Sequence, residues 1–340
     1  MKPCYIHSVV SISAQESFSE DVLFSEIKNY PEFKVSAIHP SYRDYIAPAQ
    51  LRRMSPAVKM GVAASKKALE ISAVTQPDAI ITGTGLGCIA DTETFLNTVI
   101  NQEEQFLTPT AFIQSTHNTV AGQIALALKC RAYNTTYVHG SVSFESALID
   151  AQLQIETEEA KQVLVGCVDE LGTKFVDYIH LVEQSQQPSI NVPLGEGATF
   201  GVLSSKQKGA AAVLNAVEIN SKITIDEITT KIKAFLKQNQ VAIDEVDAVI
   251  LGINGDGFDI YYQTITELFV NSDILQFKKY VGEFFSASGF AFWMGTKLLS
   301  GKTLPEAFYV KKVDKEPYKT VLLYNQFKGS QHSFVLLSQC

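Results

Sequence analysis

The stretch YVHGSVSFESALIDA, residues 137–151, sets a serine, Ser141, directly after Gly140 at a break that reads as strand passing into helix. Such a break aims the N–H groups of the first helical turn at whatever side chain occupies position 141, which is how a chain holds a nucleophile or an anion. A hydroxyl becomes a nucleophile only with a base beside it. The G-x-S-x-G pattern of serine hydrolases is not met, because His139 stands two residues before Ser141 and Ser143 two after. Other patterns are weaker. GLGCIA (85–90) has the glycine spacing of a dinucleotide loop, yet the helix after it runs into NQEEQFLTPT rather than a second strand ending in an acid, so a tight turn is expected. NGDGFD (254–259) copies part of a calcium loop while Gly252 and Gln263 stand where ligands are required. The histidines (His7, His39, His117, His139, His180, His332) lack metal-ligand spacing, and no C-x-x-C pair occurs among Cys4, Cys88, Cys130, Cys167 and Cys340. No metal and no cofactor is expected.

The elements that position Ser141 can be read from periodicity. Short apolar runs, AIITG (79–83), QVLVG (162–166), ATFGVLSS (198–205), AAVLNAVEI (211–219), DAVILGI (247–253), TVLLY (320–324) and SFVLLS (333–338), alternate with helical patterns. Continuous rather than alternating apolar character predicts strands covered on both faces, hence an α/β fold with helices on either side of a sheet. Helices are expected at 55–72, with Ser55 as N-cap and Pro56 at the first helical position, near 91–101, at 118–129, and as one amphipathic surface helix over 223–247. Ala63, Ala64, Ala121, Gly122 and Ala125 give two of these helices small-residue faces suited to close packing or a subunit contact. A boundary is expected near 204–210, dividing the chain into 1–209 and 210–340.

Bulk composition narrows the function classes. With 46% apolar and 19% charged residues the 340-residue chain has a sizeable core. Acidic side chains outnumber basic ones 36 to 28, with no cluster beyond pairs such as Arg52–Arg53 and Lys311–Lys312, which argues against nucleic acid as the partner. No membrane span is expected, and unpaired cysteines with no export signal point to the cytoplasm.

The run around Ser141 resembles the active-cysteine segment of the β-ketoacyl-acyl carrier protein synthases, thiolase-fold condensing enzymes whose cysteine lies in a run like T-A-C-S-S-G before a helix. Laying Ser141 on that cysteine puts Ala151 on the family's helix alanine and GCVD (166–169) on its G-G-x-E strand end without a gap. RRMS (52–55), TGTGLG (82–87), LTPTAFIQSTHNTVAGQIAL (107–126) and GEGATFGVL (195–203) extend the likeness over nearly the whole chain. The resemblance implies a five-layered α-β-α-β-α sandwich of two similar βαβαβαββ halves.

It also implies a missing chemistry. The family's cysteine falls on Ser141, its two histidines fall on Asn254 and Glu283, and its lysine is kept as Lys278. A thiol of pKa about 8.5 ionises readily at a helix N-terminus, whereas a serine does not. Asn254 cannot shuttle a proton, and an ionised Glu283 would oppose the enolate charge formed on decarboxylation. The C-terminal segment 325–337 lacks the G-F-G-G gate. The chain therefore looks like a degenerate chain length factor of polyketide or aryl polyene systems, paired with an active ketosynthase and served by an acyl carrier protein. Phe112 and Thr116 are the candidates for touching the growing chain or the partner. A homodimer, an independent binding protein, and a serine-dependent acyltransferase, decarboxylase or thioester hydrolase with His139 or His117 as base stay open as alternatives.

Overall fold

The apolar runs become buried strands because both of their faces are covered. The computed structural model describes residues 2–19, 24, 26–185 and 189–340. Its first half runs β1 (Cys4–Ile12), α1 (Pro48–Leu51), α2 (Pro56–Ile71), β2 (Ala79–Gly83), α3 (Ile89–Asn101), α4 (Pro109–Gln114), α5 (Thr119–Leu128), β3 (Tyr133–Tyr137), α6 (Ser143–Glu156), β4 (Gln162–Asp169), α7 (Phe175–Gln184) and β5 (Gly197–Ser204). The second runs β6 (Ala212–Ser221), α8 (Ile225–Gln238), β7 (Ala248–Leu251), α9 (Ile260–Leu268), β8 (Asp273–Gln276), α10 (Lys278–Val281), α11 (Ser288–Leu299), β9 (Tyr309–Lys311), β10 (Thr320–Phe327) and β11 (Gln331–Ser338).

The strands lie in the order β3-β2-β4-β5-β1-β6-β11-β10-β7-β8-β9. Counted outward from the antiparallel β1–β6 contact, where Cys4 faces Leu214, the two halves repeat one order, with only β9 added at the far edge. The repeat extends to side chains. Asp78, just before β2, accepts the N–H groups of Lys161 and Gln162, and Asp247, just before β7, accepts those of Lys319 and Thr320.

Three apolar clusters mark the layers. One packs α2 and α5 on the first half's strands, another packs α8 and α9 on the second half's, and the central one gathers Phe144 and Leu148 of α6 with Phe290, Phe292 and Trp293 of α11 between the two sets. Helices outside, strands, helices inside, strands, helices outside is the five-layered thiolase-like arrangement. Close packing of α2 on α5 needs Gly61, where an added Cβ would come within 2.6 Å of Val120. Gly122, by contrast, faces open space.

The helix expected over 223–247 is shorter. It starts with a capping box between Thr224 and Glu227 but stops at Gln238, because the Asn239 side chain takes the Phe235 carbonyl (2.8 Å) and Gln240 turns left-handed (φ 59°). A separate 3-10 turn follows at Ile243–Glu245. Among the described residues no helix is long and apolar enough to cross a membrane, and no cluster of His, Cys, Asp and Glu could hold a metal.

Candidate functional site

Two residues separate the end of β3 from a 3-10 turn, Gly140–Val142, that leads straight into α6. Gly140 is left-handed (φ 58°), a conformation glycine takes without strain. Ser141 is buried and aims both its donors at one atom: its hydroxyl gives a 2.8 Å hydrogen bond to Gln331 Oε1, and its N–H a 3.3 Å bond to the same oxygen. Among the described residues no base is bonded to the hydroxyl. The His139 ring is bonded through Nδ1 to Ser146 Oγ (3.1 Å), and His117 packs against Gly87 on another loop. Neither histidine is bonded to Ser141, and an amide oxygen cannot take its proton.

The Asn254, Glu283 and Lys278 positions do converge. Asn254 Nδ2 donates to Glu283 Oε2 at 2.8 Å, and Lys278 Nζ lies 2.9 Å from the same oxygen. Each is held by its own backbone setting. The loop after β7 turns on Asp259, whose carboxylate accepts the N–H of Asn254 (3.2 Å) and Gly255 (2.7 Å), while Asn254 Oδ1 accepts the N–H of Asp256 (3.1 Å). Glu283 is clamped to the segment entering β5, its N–H donating to the Pro193 carbonyl (2.7 Å) and its carbonyl accepting from Gly195 N–H (2.9 Å). Lys278 is 1% exposed, so the ammonium has been taken out of water and given a carboxylate instead. Ser141 makes no bond to this trio, so the four positions fall into two separately satisfied groups.

Two residues outside the candidate set, one of them the last of the GCVD strand end, organise the site. Asp169, fully buried at the end of β4, accepts from Thr84 Oγ1 (2.9 Å), Gly85 N–H (2.9 Å), Leu86 N–H (2.8 Å) and Ser286 N–H (3.0 Å). It ties the loop after β2 to the turn before α11. An acid closing an apolar strand was a visible signal for it. Gln331, which holds Ser141, gave none, since it stands 190 residues away.

Between α7 and this core lies a narrow pocket walled by Leu86, Val176, Ile179, Leu194, Phe285 and Phe327, and reached by Asn254 and Glu283. At its edge Lys328 Nζ pairs with Glu183 at 2.5 Å. Phe112 and Thr116 do not line it. Phe112 is 58% exposed on α4, and Thr116 is half-buried, donating to the Ile113 carbonyl (2.9 Å).

Glu170 also borders the pocket, and burial raises its carboxyl to about 7 against the lowering effect of the Ala57 and Ala90 N–H groups. An unfolded glutamate titrates near about 4.3. The folded state therefore binds the extra proton between these values, and the contribution is full below about pH 4.3 and lost as the pH rises to about 7. Measured by urea unfolding, wild type should lose about 3 kcal/mol relative to Glu170→Gln between pH 4 and pH 8. A difference independent of pH would count against this assignment.

Several comparisons agree with this geometry. The family profile described as "Beta-ketoacyl synthase, N-terminal domain" matches residues 28–246. Among solved structures, one described as the ishigamide ketosynthase/chain length factor superposes with a TM-score of 0.81 at 16% identity, covering 100% of this chain and 99% of the other. A β-ketoacyl synthase from Burkholderia phymatum gives 0.81 at 15% identity, with 100% of each chain covered. A ketosynthase in complex with its chain length factor from Xenorhabdus doucetiae gives 0.76 at 14%, covering 100% and 98%. No curated protein sequence matches. The profile spans well over half of the chain, and the repeated βαβαβαββ halves and the elbow before α6 are what that family builds on, so this chain belongs to the β-ketoacyl synthase family.

Proposed function

We propose that the chain is a catalytically silent subunit of chain-length-factor type, pairing with an active β-ketoacyl synthase and shaping the space in which that partner extends an acyl chain. One observation carries this reading: the positions that serve catalysis in the family are occupied here by groups that satisfy one another. Lys278 and Asn254 direct their donors to Glu283, and Ser141 directs both of its donors to Gln331. The proposed division of the chain at 209/210 falls in the turn between β5 and β6.

The two ends of the sheet support a partner on one side. At one end, β9 is a three-residue antiparallel strand followed by Lys312, which blunts the edge. The other end is β3, five residues paired on one side with β2 and flanked by α5 and α6, which expose Leu126 and Leu153, while α4 just ahead of α5 exposes Phe112 and Ile113. An edge strand with apolar helices beside it suits a second subunit of the same fold. Phe112 and Thr116 then face that subunit. A groove lined by Arg43, Arg52 and Lys59 on a chain of net charge −8 suits an acidic carrier protein. Five free thiols suit the cytoplasm.

Co-expression with an active synthase encoded beside it should give a stable heterodimer on size exclusion. In that complex Ile113→Asp with Leu126→Glu is expected to weaken association at least about 100-fold, as hot-spot losses do. Recovery of the two proteins as separate species from wild-type co-expression would overturn the proposal.

A further inference from the structure

We propose that Gln331 is a built-in ligand of the elbow, its carboxamide filling the place where the carbonyl of an acyl group would be held. Three contacts fix it. Gln331 Oε1 accepts the hydroxyl and the N–H of Ser141, and its Nε2 faces the His139 carbonyl at 3.4 Å. A backbone N–H such as that of Ser141 at the start of a helix is the kind of donor that stabilises a polarised carbonyl, and here the unreacted hydroxyl adds a second bond to the same oxygen. The occupant here belongs to the chain itself.

Strand pairing brings it there. Phe327 and Gln331 face each other at the tip of the β10–β11 hairpin, which turns through Lys328 (φ 49°) and Gly329 (φ 61°). The side chain then crosses to Gly140, where an added Cβ would stand 3.1 Å from Gln331 Oε1. Ser141 is 4% exposed with the amide in place. A neutral carboxamide fits this cradle better than a carboxylate, because one end must accept twice while the other faces the His139 carbonyl. The full cradle thus fits a carboxamide, its oxygen-accepting half alone would also take a thioester carbonyl, and the hairpin tip excludes both from outside.

This inference rests on the reading of position 141 as a retired acyl site, but its test needs no partner synthase. In full-length protein carrying Ser141→Cys, alkylation of the introduced thiol by iodoacetamide is followed by peptide mass spectrometry, with Cys340 as the exposed internal reference. Adding Gln331→Ala should raise the alkylation rate at position 141 about tenfold, the effect of freeing a thiol from one or two hydrogen bonds and uncovering it. Gln331→Asn, too short to reach but still polar, should do the same and serves if the alanine variant folds poorly. Equal rates at position 141 with and without Gln331 in a folded variant would overturn the inference. Loss of heterodimer formation with the acceleration intact would overturn the proposed function alone.

Discussion

Purified alone and supplied with an acyl thioester and malonyl-loaded carrier protein, this chain is expected to elongate at least about 10⁴-fold more slowly than a synthase with an intact Cys-His-His set. Three deficits lead there. Acyl transfer needs a nucleophile, and the Ser141 hydroxyl is committed to an amide oxygen with no base bonded to it. Proton transfer needs a group that titrates, and Asn254 does not. Decarboxylation needs a donor for the developing enolate, typically worth about 10²–10³ in rate, yet both buried donors nearby, Lys278 Nζ and Asn254 Nδ2, are committed to Glu283. Groups acting as a unit do not multiply, so the bound is set well below the product of the separate losses. The measurement is release of labelled carbon dioxide from malonyl thioester together with chromatographic product analysis. Turnover within about a hundredfold of an active synthase would sink the account of the site.

What the sequence disclosed, and what it hid, follows from the range over which each interaction acts. The strands were readable because AIITG and AVIL are buried on both faces and so are apolar at nearly every position. The N-terminus of α2 was readable because Ser55 and Pro56 act within a few residues, with Ser55 Oγ accepting from Val58 N–H. The end of α8 was misjudged because the stop lies in one left-handed residue, Gln240, and an Asn239 side chain rather than in a glycine or proline. At the site, Ser141 stands out from the break after Gly140, whereas Asn254, Lys278 and Glu283 could be located only by likeness to a family, since the loop after β7 and the segment starting at α10 that carries both Lys278 and Glu283 meet only in the fold. Their mutual satisfaction was invisible, and so was Gln331, whose only distinction is where the hairpin register delivers it. Glu283 illustrates the difference. As a bare residue type it suggested an uncompensated negative charge, whereas the fold supplies Lys278 at 2.9 Å and makes the charge structural.

That pairing sets the second large effect. Replacing Lys278 by Met is expected to destabilise the fold by about 3–5 kcal/mol, the penalty for leaving one member of a buried ion pair without its partner. Lys278 is 1% exposed and Glu283 9%, so water reaches neither well enough to take over, and Asn254 Nδ2 is the remaining side-chain donor to that carboxylate. The attraction between the charges is not the source of the penalty, because both were desolvated on entering the fold. Removing both charges should therefore be far milder than removing one. Lys278→Met with Glu283→Leu is expected to fall within about 1–2 kcal/mol of wild type, leaving the Asn254 amide as the main unpaired group. Urea unfolding of the two single variants and the double variant closes the cycle, and a coupling near zero would show that the pair is not the buried, mutually dependent unit seen here. The double variant also separates architecture from chemistry. Because the tie of Glu283 to the segment entering β5 is made by its backbone, a heterodimer containing the double variant should keep its partner's elongation rate, while the Lys278→Met single variant should fail to assemble.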